Sequence, residues 1–538
     1  MGAEQSSRPQ GPAQSQYLIR VANDFPYFVL CFRKPLTATL ILHNKDVLTS
    51  LEQSVLKRWP NGIKKIVQAN QDGSAEVQLA EDSFRTLADL LELVGLKPEL
   101  VFNFKRFFCA AFNDFKSIGW KVALCTDTWT RYPALSTVLF QQCPPPSNSQ
   151  TQIFALSLSF EGNILLVNAS ERLKSIFREI ISKAYPPGVL EVVSYGTDTR
   201  YRLAGSPWTA WPGDQSIRLA RRMLLECFRS FNEEGANFYC AMNTADFGDT
   251  IFFEENLGQT SAHGNGTRFM CLTFYNENKI HLIAPSDLSE RLLEIVTDAV
   301  TTYWHLGLKA LVQCPDDQSY EITLKGTPFI AVPDADGAKT SPDDSMCWQS
   351  RFFVCHLFQS LLARGGWEIE AAFDAHRKNY DSATYILKQR PNAQTSILQH
   401  CCLSFDRLNL VRLVNDGKGE LATLVRHVIS GAWSKGVVKE VHFEDVKGYE
   451  FKLSGQPWFT CLDGLYANSL DGIAAQTLVC LLFGELKKCN WKVSASVPTC
   501  CLTLGRGRHK QRTTADTWIL VKETAGGGLE ASQGTETN

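Results

Sequence analysis

The chain repeats one pattern of residues, and this repetition limits its fold more than any other feature of the 538 residues. Tyrosine and alternating apolar residues lead three times into Gly-x-Pro-aromatic, as "YRLAGSPW" at 201–208, "YEITLKGTPF" at 320–329 and "YEFKLSGQPW" at 449–458. The alternation indicates a strand, and the Gly-x-Pro step ends it because proline cannot donate to the ladder. Recurrence at this spacing is typical of a chain built from repeated units.

A second pattern precedes each copy and adds a fourth. It consists of an aromatic residue, two further residues and a glycine, at Trp59–Gly62, Tyr185–Gly188, Trp304–Gly307 and Trp433–Gly436. The glycines are 119 to 129 residues apart. Glycine adopts the left-handed conformation that closes a helix, so the pattern predicts four helix ends.

A second helix is predicted in each copy before a shared landmark, which is Trp120, Ala236, Trp367 or Trp491. The positions 13, 9 and 5 residues before each landmark are apolar in all four copies, as expected for one buried helix face. These positions are Phe107, Ala111, Phe115, Met223, Cys227, Phe231, Val354, Phe358, Leu362, Leu478, Leu482 and Leu486.

The repeated patterns predict an α+β fold of four tandem repeats, each about 125 residues long. Each repeat is expected to run β-β-α-β-α-β-β, with an antiparallel or mixed sheet covered by two helices and its own core. The predicted repeats span residues 17–145, 150–258, 266–390 and 395–523. Residues 1–16 and 524–538 have the composition of disordered ends.

Composition narrows the possible functions. With 54 basic and 56 acidic residues the net charge is −2, so the chain lacks the broad electrostatic footprint of a nucleic-acid protein. The 17 cysteines, without a secretory signal, indicate reduced thiols and a cytoplasmic protein. No paired Cys-x-x-Cys motif or phosphate loop occurs, so we predict no metal, no cofactor and no catalytic residues.

Residues shared by all copies most simply maintain the fold, so function is better sought where one copy departs from the others. The amino terminus "MGAEQSS" is one such departure. Gly2 followed by Ser6 fits the N-myristoylation pattern, in which removal of Met exposes an unhindered α-amine. The alternative is a chance match of a short motif.

The second departure lies in the last copy. Each copy has a threonine in the strand region after its landmark, at Thr137, Thr250, Thr384 or Thr517. Trp491 and Thr517 are 26 residues apart, against 14 to 17 for the same pair in the other copies, and the extra residues fall in "LGRGRHKQRTT". The four fixed positive charges there are Arg506, Arg508, Lys510 and Arg512. They predict an anionic-surface site on an extended loop, or else a solvated hairpin tip.

These observations favour a non-enzymatic cytoplasmic adaptor or scaffold that binds other proteins. A myristoyl chain on Gly2 would hold it reversibly at the cytosolic face of a membrane, with the basic loop as a second signal for an anionic membrane surface. One alternative is an enzyme with a pocket between repeats. Another is a binder of nucleic acid or another anionic ligand through residues 506–512, although the net charge disfavours nucleic acid.

Overall fold

A computed structural model describes most of the chain. The described residues are 25–34, 37–59, 62–69, 74–80, 98–127, 136–145, 150–159, 162–205, 207–208, 214–244, 248–257, 266–314, 319–331, 343–375, 383–390, 398–458, 470–499, 501–504, 511–512 and 516–523. Four similar units, called here units 1 to 4, occupy residues 27–142, 151–256, 269–389 and 400–522.

Each unit runs β-β-α-β-β-α-β-β. Unit 1 contains β1 (Tyr27–Lys34), β2 (Thr37–Ile41), α1 (Lys45–Arg58), β3 (Ile63–Ala69), β4 (Ser74–Leu79), α2 (Pro98–Ser117), β5 (Trp120–Thr126) and β6 (Thr137–Gln142). Unit 2 contains β7 (Thr151–Ser159), β8 (Asn163–Val167), α3 (Glu171–Ala184), β9 (Val189–Tyr195), β10 (Asp198–Leu203), α4 (Gln215–Glu233), β11 (Ala236–Met242) and β12 (Thr250–Asn256).

Units 3 and 4 repeat this order and add short strands that join them. Unit 3 contains β13 (Phe269–Tyr275), β14 (Lys279–Ile283), α5 (Ser289–Tyr303), β15 (Leu308–Cys314), β16 (Ser319–Leu324), β17 (Ile330–Ala331), α6 (Asp343–Gly365), β18 (Trp367–Phe373) and β19 (Ala383–Gln389). Unit 4 contains β20 (His400–Asp406), β21 (Leu410–Val414), α7 (Glu420–Ala432), β22 (Val437–Phe443), β23 (Gly448–Leu453), α8 (Leu470–Lys488), β24 (Trp491–Val497), β25 (Cys501–Leu504), β26 (Gln511–Arg512) and β27 (Thr517–Lys522).

The predicted α+β class and the four tandem repeats are confirmed, but the predicted order of elements lacked one strand in each unit. The missing strands are β3, β9, β15 and β22. Each sheet is antiparallel and has the order of unit 1, β3-β4-β2-β1-β6-β5. The missed strand is therefore always one edge of the sheet, called here the outer edge. The opposite edge, β5, β11, β18 or β24, is the inner edge.

The predicted helix ends are confirmed in all four units. Each aromatic residue caps its helix, and the following glycine has a φ between +68° and +78°. The aromatic side chain also donates to the carbonyl of the residue just after the second strand that follows the helix, as Trp433 Nε1 does to Ser454 O at 3.0 Å. The twelve predicted stripe positions are buried except Leu362, which is half-buried.

The four units form a closed ring. Each inner-edge strand packs beside the inner-edge strand of the next unit, from β5 to β11, β18, β24 and back to β5. The second helix of each unit packs on the first strands of the following unit: α2 on β7 and β8, α4 on β13, α6 on β20 and β21, and α8 on β1 and β2. Head-to-tail contacts of this kind give a closed ring when the fourth unit meets the first, as it does here.

The cores are shared between neighbouring units, so the expectation that each repeat has its own core is wrong. Alternate residues of β1 belong to different cores: Phe28 and Leu30 face the helices of unit 1, whereas Tyr27 and Val29 face α8 of unit 4. Units 2, 3 and 4 share their first strands with the preceding unit in the same way. A sheet covered on both faces is apolar on both, which explains the nearly continuous apolar sequences of these strands.

Candidate functional site

The residues predicted as functional sites lie almost entirely outside the described chain. Gly2, Arg506, Arg508 and Lys510 are not among the described residues, and Arg512 belongs to the short strand β26. Their proposed roles therefore stay predictions. None of the described helices combines the length and apolarity needed to cross a bilayer.

The insertion in unit 4 contains structure that was not predicted. β25 and β26 pair antiparallel, with Thr503 opposite Arg512, and β25 pairs parallel with β17 of unit 3, with Ile330 opposite Cys501. The described strands on either side of residues 505–510 therefore pair with each other, and β25 is fixed against unit 3.

Reciprocal hydrogen bonds join the β-hairpins of neighbouring units around the ring. The residue before the last strand of one unit donates its N–H to the carbonyl of the residue after the inner-edge strand of a neighbour. The residue after the inner-edge strand in turn donates its own N–H to the side chain of the residue before the last strand. We call this arrangement a clasp. It joins Ser136 with Asn243, Asp249 with Asp374, and Asp516 with Asp127, at N···O distances of 2.8 to 3.3 Å.

The junction between units 3 and 4 differs from the other three in chemistry. The strand register places Ala383 where the clasps have Ser136, Asp249 and Asp516, and it places Pro498 just after β24. Alanine has no side-chain acceptor and proline has no N–H, so the return hydrogen bond loses its acceptor and its donor together. The pairing of β17 with β25 joins units 3 and 4 instead.

The second helix of each unit also carries a buried polar side chain into the junction that follows it. Lys105 of α2 donates to the carbonyl and hydroxyl of Thr244 in unit 2. The Arg221 guanidinium of α4 lies 4.9 Å from the ring centre of Tyr275 in unit 3. Arg351 of α6 and Gln476 of α8 are buried at the corresponding junctions. A wrong pairing of helix and sheet would leave such groups without partners, so they favour one order of units.

An ionic network fills the junction between units 3 and 4. Arg351 donates to both oxygens of Asp406, at 2.6 and 2.7 Å, and Arg412 donates to Asp406 at 3.4 Å and to Glu450 at 2.8 Å. Burial alone would raise the pKa of Asp406, but Arg351 and Arg412 hold it below its usual value. The Arg412 guanidinium also lies 5.3 Å from the ring centre of Trp348. The carboxylate is therefore charged and fully paired, which is a structural arrangement.

The junction between units 2 and 3 contains a histidine–serine contact of the type used in nucleophilic catalysis. His281 Nε2 lies 2.7 Å from Ser319 Oγ, and both side chains are fully buried. Burial lowers the pKa of His281 well below its usual value, and the nearby Arg221 and Arg218 lower it further. A neutral imidazole can hydrogen-bond to the hydroxyl, but a substrate in solution has no access to either group. We therefore interpret this pair as part of the junction.

The buried thiols and the acidic side chains offer no metal centre in the described part of the chain. No group of three or more His, Cys, Asp or Glu is placed there to hold a metal ion. Cys355 and Cys402 meet across the junction between units 3 and 4 with their Sγ atoms 3.3 Å apart. Burial raises the pKa of Cys355 well above its usual value, and the contact with Cys402 raises it further, so this thiol is not activated.

The outer edges of the four sheets are a repeated feature that is open to solvent in the described part of the chain. These strands carry exposed apolar side chains, including Leu190 (65%), Val192 (50%), Val312 (51%) and Val438 (63%). Within the described chain no further strand pairs with β3, β9, β15 or β22. Exposed lysines on the same strands, such as Lys64 and Lys439, oppose pairing between copies of the protein.

The fold and its junctions define a single-chain ring of four α+β units. One domain-family model matches the chain three times, over residues 152–250, 268–388 and 399–521, which lie in units 2, 3 and 4. Together these matches cover more than half of the chain, so the protein belongs to this family of repeated domains. No curated protein and no solved structure matches the chain.

Proposed function

We propose that the protein is a non-enzymatic adaptor whose ring presents outer sheet edges to extended segments of partner proteins. The observation that carries this proposal is the repeated exposure of apolar side chains on edge strands, above all Leu190 and Val192 of β9 and Val438 of β22. An open edge strand binds an added strand through its main chain and selects it through its side chains. Several such edges on one ring would gather more than one partner.

Membrane attachment completes the proposal. A myristoyl chain on Gly2 would hold the adaptor reversibly at the cytosolic face of a membrane, because one acyl chain alone binds weakly. Intact-mass measurement of the amino terminus and cell fractionation beside Gly2→Ala test this part. An unmodified Gly2, or equal membrane fractions for the two proteins, would contradict it.

The two alternatives receive less support. An enzyme would need a pocket between units, whereas the junctions described above are filled by shared apolar cores and by paired polar groups. Binding of nucleic acid or another anionic ligand through Arg506, Arg508, Lys510 and Arg512 is favoured only by the charge of that segment. Such binding should weaken steeply with salt and disappear when the four residues are neutralised.

The adaptor proposal is tested with peptides selected from a displayed library on the full-length protein. We expect Leu190→Lys/Val192→Lys or Val438→Lys to weaken binding of such peptides by about tenfold or more, since a loss of about 1.4 kcal/mol has that effect. Leu257→Lys is the matched control, because Leu257 is also exposed but follows β12, away from the outer edge. Amide hydrogen exchange should slow in β9 or β22 when peptide is bound.

Peptides that bind all edge variants as tightly as the wild type would contradict the use of the edges. So would protection confined to elements other than the outer strands. Thermal unfolding of each variant checks that the ring is intact, since these side chains are exposed and their replacement should cost little.

A further inference from the structure

We propose that lysines at the junction of units 4 and 1 form a docking surface for an anionic membrane, beside the point where the amino-terminal segment joins the ring. The surface comprises Lys121, Lys487, Lys488 and Lys492. It rests on the proposed membrane attachment through Gly2 but uses residues other than the basic segment 506–512.

The first described residues, beginning at Phe25, contact α8 of unit 4. A Cβ on Gly484 of α8 would come within 2.6 Å of the Phe25 ring, and the rings of Tyr27 and Phe483 meet edge to face at 5.3 Å. Residues three and four positions after Gly484 on the helix are Lys487 and Lys488, which lie on the same side of α8. The chain therefore joins the ring one helical turn from two lysines.

The sheet of unit 1 brings a third lysine to the same place. Tyr27 pairs with Gln141, and Gln141 pairs with Lys121, so the three residues form one row across β1, β6 and β5. Residues in such a row share a face of the sheet, with adjacent strands about 4.8 Å apart. Lys121 thus lies on the face that Tyr27 turns toward α8, about 10 Å from Tyr27 along the row.

Positive charges outnumber negative charges among the named residues at this junction. Lys121 and Lys488 are exposed, and Lys487 and Lys492 are half-buried. Burial lowers the pKa of Lys487, while Glu523 raises it and Lys492 and Lys121 lower it, so these groups lie close together. Glu485, which accepts from Lys488 at 2.6 Å, and Glu523 offset only part of the positive charge.

The corresponding helix end of unit 2 carries residues of the opposite charge. Helix α4 ends at Glu233 and is followed by Glu234, whereas α8 ends with Lys487 and Lys488. At the basic junction the turn from α2 to β5 also exposes the apolar side chain of Ile118. These lysines, with an exposed apolar side chain three residues before Lys121, suit a surface of anionic lipid head groups.

An anionic leaflet is the occupant that this arrangement fits best, because a single acyl chain needs a second signal at the same side of the protein. Each lysine close to such a surface adds attraction that salt screens. The acyl chain on Gly2 and the four lysines would then act on one membrane, since residues 2–24 connect Gly2 to Phe25 at this junction.

The test is flotation of the full-length protein on vesicles of phosphatidylcholine with and without phosphatidylserine. All proteins carry Gly2→Ala and an amino-terminal histidine tag that binds a trace of nickel-chelating lipid, so that every variant has the same weak anchor. The variant Lys121→Gln/Lys487→Gln/Lys492→Gln is compared with Lys64→Gln/Lys65→Gln/Lys439→Gln, which removes exposed lysines from outer edges.

We expect phosphatidylserine to increase binding of the parent and of the control, and high salt to remove the increase. The junction variant should lose about tenfold or more of the affinity for phosphatidylserine vesicles and keep its binding to phosphatidylcholine. An unchanged phosphatidylserine preference in that variant would overturn the proposal. A parent protein that shows no preference for phosphatidylserine would also overturn it. So would complete loss of the preference in the variant Arg506→Gln/Arg508→Gln/Lys510→Gln/Arg512→Gln, in which the junction lysines are unchanged.

The tether separates this result from the fate of Gly2. Intact mass of the chain co-expressed with an N-myristoyltransferase reports acylation by itself. If Gly2 is not acylated but the lysine substitutions still weaken vesicle binding, only the proposed acyl anchor is overturned. If Gly2 is acylated but the lysine substitutions have no effect, only the docking surface is overturned.

Discussion

Arg351 of unit 3 donates two hydrogen bonds to Asp406 of unit 4, at 2.6 and 2.7 Å, with both side chains buried to 1% exposure or less. The pair joins α6 to the end of β20 at the one junction where the hairpin clasp is replaced by Ala383 and Pro498. A bidentate pair of this kind fixes the orientation of the two units as well as their contact.

Removal of one partner should therefore be costly. We expect Arg351→Met to lower the free energy of unfolding by about 3–5 kcal/mol, because it leaves the Asp406 carboxylate buried with weaker partners. The double variant Arg351→Met/Asp406→Leu should recover much of this loss, and chemical denaturation of the four proteins measures the coupling. If the losses of stability in the two single variants simply add up in the double variant, the coupling of Arg351 and Asp406 is contradicted.

The same junction should make stability fall in mild acid. Burial lowers the pKa of His400 to about 4; the hydrogen bond with the Leu398 carbonyl opposes this shift and the nearby His356 adds to it. The unfolded chain binds a proton at about pH 6.5, so the contribution of His400 is complete above that pH and is lost as the pH falls toward about 4. The shift corresponds to about 3 kcal/mol. Between pH 7 and 4 the free energy of unfolding should fall less for His400→Asn than for the wild type. An identical pH dependence of the two proteins would contradict the role of His400.

Gly484 lies four residues before the end of α8, and its replacement by alanine tests the contact of this helix with unit 1 by the sign of the stability change. Alanine at position 484 would stabilise an isolated helix by about 1 kcal/mol. In the ring its Cβ would approach Phe25 to 2.6 Å and Tyr27 to 3.3 Å, so we expect Gly484→Ala to lower the melting temperature through overpacking of about 1–3 kcal/mol. Adding Phe25→Leu to the Gly484→Ala protein should restore part of the lost stability. A more stable Gly484→Ala protein would show that α8 does not dock on unit 1.

Local patterns were sufficient to predict the class of fold and the four helix ends. The glycine in aromatic-x-x-Gly and the apolar stripe before Trp120 or Trp367 depend on nearby residues, so each copy shows them independently. The outer-edge strands were missed because most of their side chains are exposed, apolar ones included, so their sequences do not alternate between apolar and polar residues.

The closed ring had a sequence signal that could have been used. Residues 478–483 of α8 are six consecutive apolar residues, all buried, and a helix that is apolar on all sides must be covered on all sides. The junction partners themselves had no such signal. Asp127 and Asp516 bond across 389 residues, and no local pattern of either segment points to the other.

The missing fourth clasp can be supplied by design. Ala383→Ser adds the acceptor that Ser136 provides between units 1 and 2, and Pro498→Ala adds the N–H that Asn243 provides there. We expect Ala383→Ser alone to destabilise the protein, since it buries a hydroxyl without its partner, and the double variant to exceed the sum of the single changes by about 1 kcal/mol. Denaturation of the three variants measures this coupling. A coupling of zero would show that Ala383 and Pro498 do not occupy the clasp positions.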